Sequence, residues 1–392
     1  MKQNEISPNV IVELIQFLSP DINRNLRQQA LDYVIGLSAS DQFNVIFQAN
    51  DFLLGRSLCR LISEDNTGGS DILPALINAT ATDIVCAKYV IDNTELVQRC
   101  VKYCRDGNER CSLNSAKLLS NLSLHFPEAL YDALMENWED FIGNTIKRLS
   151  DSSSCEDIEY LGYVLVNLTS IANVRCLLCE KFIRHILPLV DYEKKSKRCL
   201  IAIDILRNMC FENSCHPILL DKNDEFLSTL LKPLADVNDN LEDDEIEKLP
   251  LQLQYYEGHR CQDLSIIDKI IESLYQLGGS EIGRKTLRIK GIYALLREFD
   301  RASLALSKKN SLVTPPMIPV AEDGITNAHS QSVMHDRQDL QVASIVHDNR
   351  EMTAKTTKTQ DVKFLGETGN LIYIDGQNCS TLHALIGLLI QD

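Results

Sequence analysis

Residues 116–123 read Ala116-Lys117-Leu118-Leu119-Ser120-Asn121-Leu122-Ser123, an apolar segment that ends in Asn, an apolar residue and a hydroxyl. An α-helix would place Leu118, Leu119 and Leu122 on one side, because their spacing follows the helical period. A helix with such a stripe cannot bury it alone and needs a neighbouring helix. The same pattern is therefore expected elsewhere in the chain.

Four further segments carry this pattern, the first of them in a weaker form. They are Asp32-Tyr33-Val34-Ile35-Gly36-Leu37-Ser38, Leu73-Pro74-Ala75-Leu76-Ile77-Asn78-Ala79-Thr80, Tyr163-Val164-Leu165-Val166-Asn167-Leu168-Thr169 and Asp204-Ile205-Leu206-Arg207-Asn208-Met209-Cys210. Their anchors at positions 36, 78, 121, 167 and 208 are 42, 43, 46 and 41 residues apart. Armadillo and HEAT repeats have a period of roughly 40–47 residues. The sequence thus predicts an all-α, armadillo/HEAT-like, right-handed superhelical solenoid with one concave face.

A second repetition, at an offset of 109 residues, involves the helices before the anchor segment. One stretch carries Arg175, Leu178, Ile183, Ile186 and Leu187, and the other carries Arg284, Leu287, Ile292, Leu295 and Leu296. Each stretch predicts two short helices of one repeat. The second should be followed by a closing helix near position 317, but Pro315-Pro316 stands there and disfavours a helix.

Two segments interrupt the predicted array, which spans residues 8–303. Residues 236–262 form an acidic run, predicted to be an exposed loop. Residues 304–378 are polar and without a sustained period, so we predict a disordered insertion. The pattern is helical again between those two segments, from Ser265 to Leu277, and over residues 379–390, which are predicted to be the displaced closing helix of the last repeat.

Composition narrows the class of function. The 392 residues carry a formal net charge of −16, which disfavours nucleic-acid binding, and no apolar run is long enough to span a membrane. The first residues are polar and resemble no secretory signal, so the 13 cysteines are expected to be reduced thiols in a cytosolic or nuclear protein. Most of them stand at apolar helix positions and are expected in the core.

The recurrent Asn has two interpretations. On the inner helix of an armadillo array, its amide can bracket a peptide unit of an extended ligand. Alternatively, it satisfies backbone groups at a helix end within the array. Residues four positions earlier should share its face, and these are Pro74, Lys117, Tyr163 and Asp204. The candidates for the protein-binding, concave face are Asn78, Lys117, Asn121, Tyr163, Asn167, Asp204, Arg207 and Asn208.

Three other features have alternative readings. Cys176 and Cys179 match half of a zinc site, but their apolar neighbours favour the core. Residues 194–198 read as a basic nuclear-import segment or as a solvated turn. The acidic run either holds a basic partner or solvates the array. No nucleophile elbow, phosphate-binding loop or paired-carboxylate motif is present, so neither an enzyme nor a cofactor is expected.

Four segments together resemble the eukaryotic Hgh-type armadillo-repeat family, also called brain-protein-sixteen-like. They are residues 31–38, Ile205-Leu206-Arg207-Asn208-Met209-Cys210-Phe211, Leu249-Pro250-Leu251-Gln252-Leu253-Gln254-Tyr255 and Lys290-Gly291-Ile292-Tyr293-Ala294-Leu295-Leu296-Arg297-Glu298. The resemblance covers residues 8–303 and 379–390. The chain departs from the family by inserting residues 304–378 and by lacking an acidic continuation after the closing helix.

The resemblance implies a monomeric cytoplasmic protein, also present in the nucleus, that helps the cytosolic chaperonin to fold translation elongation factor two. The alternative is a general armadillo scaffold or transport receptor that binds linear peptides. Transport armadillos usually carry Trp four residues before the groove Asn, whereas the only Trp here is Trp138. Neither nucleic acid nor a membrane is expected as a partner.

Overall fold

The computed structural model describes the chain over ten ranges, which are residues 8–19, 21–40, 42–64, 69–106, 109–134, 137–151, 156–193, 196–312, 371–374 and 377–390. The chain divides into two units. Unit 1 comprises Met1–Leu189 and Ser196–Ile205, and unit 2 comprises Val190–Lys195 and Leu206–Asp392.

Unit 1 is built from α-helices, the last of which continues into unit 2. They are α1 (Pro8–Phe17), α2 (Arg24–Ser38), α3 (Phe43–Glu64), α4 (Gly69–Thr82), α5 (Ile84–Ile91), α6 (Thr94–Asp106), α7 (Glu109–His125), α8 (Pro127–Leu134), α9 (Trp138–Ser150), α10 (Asp157–Leu168), α11 (Ala172–Leu177), α12 (Ile183–Ile186) and α13 (Lys197–Met209). A π-helical turn, Leu178–Phe182, joins α11 to α12, and a 3₁₀ turn, Leu187–Leu189, follows α12.

The five predicted anchor segments all lie in helices, near the ends of α2, α4, α7, α10 and α13. Helices α2, α4, α7 and α10 pack in series and form the inner layer of unit 1, while helices such as α6 and α9 pack behind them. The predicted stripe of α7 is core, because Leu118, Leu119 and Leu122 are all fully buried. Burying three leucines contributes roughly 1.5–3 kcal/mol per side chain, an upper estimate relative to full exposure.

Helix α3 is two helices joined by a sharp kink. Asn50, Asp51 and Phe52 all adopt left-handed backbone conformations, with φ of 53°, 57° and 56°. Such conformations cost roughly 1 kcal/mol or more in non-glycine residues, so packing must hold them. The ring of Phe52 stacks on Tyr89 at a centroid distance of 4.2 Å, which fixes the kink against α5.

Unit 2 contains shorter helices, one long helix pair and a hairpin. Its helices are α14 (His216–Leu219), α15 (Glu225–Leu231), α16 (Asp243–Ile246), α17 (Leu251–Gln254), α18 (Leu264–Gly279), α19 (Glu281–Ile289), α20 (Ile292–Leu312) and α21 (Thr381–Ile390). Turns of 3₁₀ helix precede α14 and follow α15, at Asn213–Cys215 and Lys232–Leu234. Strands β1 (Leu371–Ile374) and β2 (Gln377–Ser380) pair antiparallel, with Leu371 opposite Ser380.

The 109-residue repetition appears as two equivalent corners. Arg175 donates to the carbonyls of Thr169 and Ser170, both at 2.8 Å. Arg284 donates to the carbonyls of Gly278 and Gly279, at 3.1 and 3.2 Å. In each case the guanidinium satisfies backbone carbonyls at the end of the preceding inner helix.

The segment predicted to be a disordered insertion differs from the prediction at both of its ends. Residues 304–312 continue α20, and residues 371–374 and 377–378 belong to the hairpin. Their sequences are polar or short, and the structure gives them a helix and a strand partner that periodicity does not reveal. Residues 313–370, the bulk of that segment, lie outside the described residues.

Helix α21, predicted to be the closing helix of the last repeat, packs against α18, α19 and α20. Leu385 is fully buried in this contact. Arg288 donates to the carbonyls of Leu388 and Leu389, at 3.0 and 3.2 Å, and so caps the end of α21.

The acidic run is not a simple exposed loop, and that expectation is corrected. Residues 236–262, named the acidic loop below, include α16 and α17 and bury Leu249 and Leu253. Several carboxylates of the loop are paired, since Asp239 binds Arg260 and Glu245 binds Arg297 on α20. Sequence reasoning missed this because it treats a carboxylate-rich run as solvated and cannot locate its cationic partners.

Candidate protein-binding face

The recurrent Asn of unit 1 links one inner helix to the preceding one. The Asn121 amide nitrogen on α7 donates to the carbonyl of Ile77 at 3.1 Å and to the hydroxyl of Thr80 at 3.2 Å, both on α4. Asn121 is only 7% exposed, so these bonds lie inside the array. They tie α7 to the C-terminal half of α4.

The same contact recurs between α4 and α2 and between α10 and α7. Asn78 donates to the hydroxyl of Ser38 at 2.8 Å, and Asn167 donates to the hydroxyl of Ser123 at 2.9 Å. Asn167 also lies 3.5 Å from the carbonyl of Ser120. We name these three contacts the Asn ladder.

The hydroxyl two residues after each anchor has a structural role in the ladder. Thr80, two residues after Asn78, donates to its own helix at the carbonyl of Leu76, 2.8 Å away, and accepts from Asn121. Ser123, two residues after Asn121, donates to Ser120 and accepts from Asn167. A hydroxyl has one hydrogen and two lone pairs, so it can do both.

This geometry matches the structural alternative for Asn78, Asn121 and Asn167, since their amide nitrogens are engaged within unit 1. Their amide oxygens are the groups that a partner's N–H would reach. A ligand-binding role for these three residues therefore stays a prediction, with the amide oxygen as the contact atom.

Lys117 and Tyr163, the predicted residues one turn before Asn121 and Asn167, are both half-buried. The ammonium of Lys117 lies 5.2 Å from the ring centroid of Tyr160, on the next inner helix. This cation–π contact orients the lysine across the groove between α7 and α10. Tyr160 is a site residue that the sequence interpretation missed, although it precedes Asn167 by seven residues and so shares its face.

Tyr163 and Asp204 complete a polar cluster with Lys197 and Glu159. Burial raises the pKa of Tyr163; the Lys197 ammonium lowers it, and the Glu159 and Asp204 carboxylates raise it. Lys197 and Glu159 form an ion pair of 3.1 Å. The inner face of unit 1 therefore presents a cation, an aromatic hydroxyl and carboxylates close together, which suits a partner with mixed polar groups.

Pro74, the first predicted residue of this face, is half-buried within α4. Its side chain offers only apolar contact, because proline has no hydrogen-bonding group beyond its carbonyl.

Arg207 and Asn208 lie in unit 2 and belong to a different arrangement. Arg207 pairs with Glu272 on α18, lies 5.3 Å from the Phe211 ring centroid, and donates to the side-chain oxygen of Asn208 at 3.1 Å. The carboxylate of Glu272 thus holds the guanidinium, which is about one-fifth exposed. Asn208 accepts this bond through its amide oxygen.

Most cysteines in the described ranges are core residues. Cys59, Cys86, Cys100, Cys104, Cys111 and Cys179 are among those buried, and Cys176 is partly exposed. Burial raises the pKa of the Cys59 and Cys100 thiols to about 12, so they are protonated and unreactive at neutral pH. Within the ranges that the structure describes, no group of three or more His, Cys, Asp or Glu side chains is arranged to hold a metal ion.

The basic segment is only partly described, since residues 194–195 lie outside the described ranges. Arg198 donates to the carbonyls of Leu149 and Asp151, at 3.2 and 2.6 Å, and so it packs on the end of α9. Among the described helices, no single one is long and apolar enough to cross a membrane. The helix pair Asp157–Leu168 and Ala172–Leu189 passes that test only as a unit bent by 117°.

The fold and the Asn ladder define an armadillo-type, all-α repeat protein. Two solved structures share this fold. A computationally designed armadillo repeat protein for modular peptide recognition has a TM-score of 0.50 at 14% identity, covering 68% of this chain and 99% of that one. An engineered protein has a TM-score of 0.50 at 15% identity, covering 68% and 96%.

The sequence is similar to one family model and to several named proteins. Residues 75–268 match a family model described as a domain of unknown function, DUF383. The chain is 29% identical to the Protein HGH1 homolog of Danio rerio, over 76% of this chain and 80% of the relative. It is 29% identical to that of Drosophila pseudoobscura pseudoobscura, over 74% and 83%, and 28% identical to that of Homo sapiens, over 75% and 78%. These relatives confirm the resemblance of the chain to the Hgh-type armadillo-repeat family.

Proposed function

We propose that this protein is a non-catalytic, protein-binding cochaperone that helps the cytosolic chaperonin to receive and fold translation elongation factor two. Similarity to the HGH1 homologs over about three quarters of the chain is the observation that carries this proposal. The armadillo-type fold supports protein binding in general, because stacked repeats expose a long inner face to a partner.

The client-binding face is proposed to lie on the inner helices of unit 1. Lys117 and Tyr163 are its centre, with Asp204 beside Tyr163. Asn78, Asn121 and Asn167 border them and offer amide oxygens to a partner. Arg207 and Asn208 are proposed as a separate contact in unit 2.

The test is capture of purified elongation factor two and of chaperonin by the full chain. A K117A/Y163A double variant should reduce capture about tenfold, because a few buried aromatic and cationic residues dominate most interfaces. The matched control is K102A/Y33A, which removes the same residue types at exposed positions on α6 and α2. Equal melting temperatures of the two variants would confirm that both fold.

The proposal fails if the folded wild-type chain captures neither the factor nor chaperonin subunits. The assignment of the binding face is wrong if K117A/Y163A and K102A/Y33A capture the factor and chaperonin equally well. Capture requires no turnover of a substrate, so the assay does not depend on an enzymatic activity.

A general scaffold or transport receptor for linear peptides is the second candidate. The similar armadillo repeat protein was designed for modular peptide recognition, and that observation favours this candidate. Competition separates the two. An unfolded fragment of the client should compete with the intact factor only if linear segments are recognised.

Cytoplasmic localisation, with a nuclear fraction, is part of the proposal. Imaging of the tagged full chain tests it, and exclusion from the cytoplasm would contradict a role with the cytosolic chaperonin. Size-exclusion chromatography with light scattering tests the monomeric state.

A further inference from the structure

The two equivalent corners of the 109-residue repetition differ in the side chains that they expose. The first corner exposes three polar residues, Asn173, Glu180 and Arg184. The equivalent residues of the second corner are Ile282, Ile289 and Tyr293, whose exposed fractions are 52%, 60% and 38%. Because the two corners have the same place in the repeat, the fold does not require apolar side chains at these positions. An apolar patch that the fold does not require indicates an interaction surface.

Helix α14 packs beside α19 and extends this apolar surface. The two segments are tied together where Nδ1 of His216 lies 2.7 Å from the hydroxyl of Ser280, the residue that precedes α19. Two residues further along each segment stand Ile218, which is 41% exposed, and Ile282. We name Ile218, Ile282 and Ile289 the isoleucine stripe.

The helix that carries most of the stripe is held at both ends before any partner binds. Arg284 donates to the carbonyls of the last residues of α18, and Arg288 donates to those of the last residues of α21. Lys290, directly after α19, pairs with Asp224, the residue that precedes α15. Docking on α19 therefore needs little ordering of the backbone, which lowers its entropic cost.

The stripe lies in a cationic part of an acidic chain. Residues 281–290 contain four cationic side chains and one carboxylate, whereas the whole chain has a net charge of −16. Lys285 and Arg288 are both exposed. Lys285 stands three residues after Ile282 and four before Ile289, so it shares their face of α19. A partner that covers the isoleucines thus meets positive charge beside them.

We propose that the isoleucine stripe docks an amphipathic, acidic helix of a protein partner. Ile282 and Ile289 lie two helical turns apart, roughly 10 Å, which matches apolar residues at positions i, i+4 and i+7 of a partner helix. Carboxylates beside that apolar face would lie opposite Lys285 and Arg288, and this charge complementarity selects an acidic partner. The inference goes beyond the proposed function and requires neither the elongation factor nor the chaperonin.

Two other occupants fit the stripe less well. A second copy that docks through the same stripe would bring two sets of Lys285 and Arg288 together, and these like charges repel each other. An anionic membrane would attract the two cations but repel a chain with a net charge of −16.

The first test uses a fluorescent, blocked, Ala-rich peptide with Leu at positions i, i+4 and i+7 and Glu beside them, called the Leu–Glu peptide. Its binding to the full chain is measured by anisotropy at about 150 mM salt. A peptide of the same composition with its leucines distributed around the helix should bind at least about tenfold more weakly, because it cannot bury all of them together. A Leu–Gln peptide, with Gln in place of Glu, should bind about threefold more weakly than the Leu–Glu peptide.

The second test gives the stripe polar side chains like those of the first corner. I282N/I289Q should weaken the Leu–Glu peptide by about tenfold or more, because the new amides stay hydrated only if the peptide's leucines do not cover them. V45N/V85Q is the matched control, because Val45 and Val85 are 73% and 50% exposed valines of unit 1. Equal melting temperatures of the two variants would show that both fold.

The third test isolates the charge. K285Q should weaken the Leu–Glu peptide by about threefold and leave the Leu–Gln peptide nearly unchanged, because only the former offers a carboxylate to Lys285. K102Q, which removes an exposed lysine of α6, should change neither affinity.

Each outcome decides for or against the proposal. Binding of the Leu–Glu peptide that I282N/I289Q loses and V45N/V85Q keeps supports it. Equal binding of the Leu–Glu peptide and its distributed counterpart, or equal affinities of the two double variants, overturns it. An equal effect of K285Q on the Leu–Glu and Leu–Gln peptides overturns the choice of an acidic partner.

Two further outcomes would assign the stripe to another occupant and overturn the proposal. One is self-association of the wild-type chain, in place of peptide binding, that I282N/I289Q abolishes. The other is binding to phosphatidylcholine vesicles with about 30% phosphatidylserine, again in place of peptide binding and again lost in I282N/I289Q. Peptides and vesicles replace the client throughout, and Lys117 and Tyr163 are unchanged in every variant, so failure here leaves the proposed function standing.

Discussion

The inner helices of unit 1 and the acidic loop of unit 2 are held by different kinds of interaction. In unit 1, neutral amide-to-hydroxyl bonds recur at Asn78, Asn121 and Asn167. In unit 2, the loop is held by charged pairs, chiefly Glu245 with Arg297 and Asp239 with Arg260. The neutral bonds repeat, and each charged pair occurs in its own geometry.

The difference follows from the repeat period. Where the period is kept, each inner helix meets its predecessor in the same way, so one residue type at one position donates to the equivalent hydroxyl each time. The acidic loop interrupts the period between α15 and α18, and no earlier layer offers it an equivalent contact. Charged pairs there supply strong, directional contacts, but they make the loop sensitive to pH and salt.

Removing one bond of the ladder is expected to have the largest effect. Asn121→Ala removes two buried hydrogen bonds, to the carbonyl of Ile77 and to the hydroxyl of Thr80, and leaves a small void, which should lower the free energy of unfolding by about 3 kcal/mol. Urea denaturation measures it. Asn114→Ala, about two turns earlier on α7, is the control and should cost less than about 1 kcal/mol. A loss for Asn121→Ala as small as the control's would show that the ladder contributes little.

Breaking the charged clamp should cost somewhat less. Arg297→Met leaves Glu245 without its bidentate partner and should lower the free energy of unfolding by about 2 kcal/mol, since the pair is only partly buried. Hydrogen exchange should locate the loss in residues 236–262. Arg301→Met is the control, because Arg301 is 62% exposed and its pair with Glu298 should contribute less than about 1 kcal/mol. Equal effects of the two substitutions would contradict the clamp.

Acid should destabilise the acidic loop of unit 2 more than the inner helices of unit 1. The Arg297 guanidinium and the backbone N–H of Glu242 lower the pKa of Glu245 to about 2, from a usual 4.5. The stability that this carboxylate contributes is therefore complete above about pH 4.5 and is lost as the pH falls toward 2. Amide exchange in the acidic loop, corrected for its intrinsic pH dependence, should accelerate about tenfold between roughly pH 5 and 3. The Asn ladder has no titrating group, and a parallel acceleration of α4 and α7 would contradict the contrast.

The smallest effect concerns a neutral link inside unit 2. His216 is buried, its Nε2 donates to the carbonyl of Cys210 at 2.8 Å, and its Nδ1 accepts from Ser280 at 2.7 Å. Burial lowers its pKa below the usual 6.5, so the unfolded chain takes up the proton first and stability falls as the pH drops below about 6.5. We expect a loss of less than about 1 kcal/mol down to pH 5.5. The imidazole resonance followed by NMR checks it, and a pKa at or above 6.5 would disprove the burial effect.

The sequence predicted the layers of unit 1 well because the repeat is written in local apolar spacing. Each anchor segment lies in a helix, and the leucines of α7 are core. The kink at Asn50–Phe52 could not be predicted, since no glycine marks it and three left-handed residues in succession depend on packing around Phe52. The contact of Glu245 with Arg297 spans 52 residues and follows no period, so nothing local reveals it.

The sequence predicted the helical positions of the candidate residues better than it predicted their contacts. Lys117 and Tyr163 lie half-buried on the inner helices, as helical geometry requires of residues one turn before the anchors. The donor role of each Asn toward the preceding helix was only one of two alternatives, because the choice depends on which helix lies beside it. Tyr160 was missed, since its contact with Lys117 joins two separate helices.

The cap that Arg288 places on Leu388 and Leu389 has a consequence for synthesis on the ribosome. The faces of α18, α19 and α20 that contact α21 cannot be covered until residues 381–390 have emerged from the exit tunnel. Unit 1 can gather its layers one after another as the polypeptide grows, whereas the last layer of unit 2 must wait until residues 381–390 have been synthesised. During that interval nascent chains expose apolar surface, and a protein proposed to assist the folding of others would itself be open to chaperone binding.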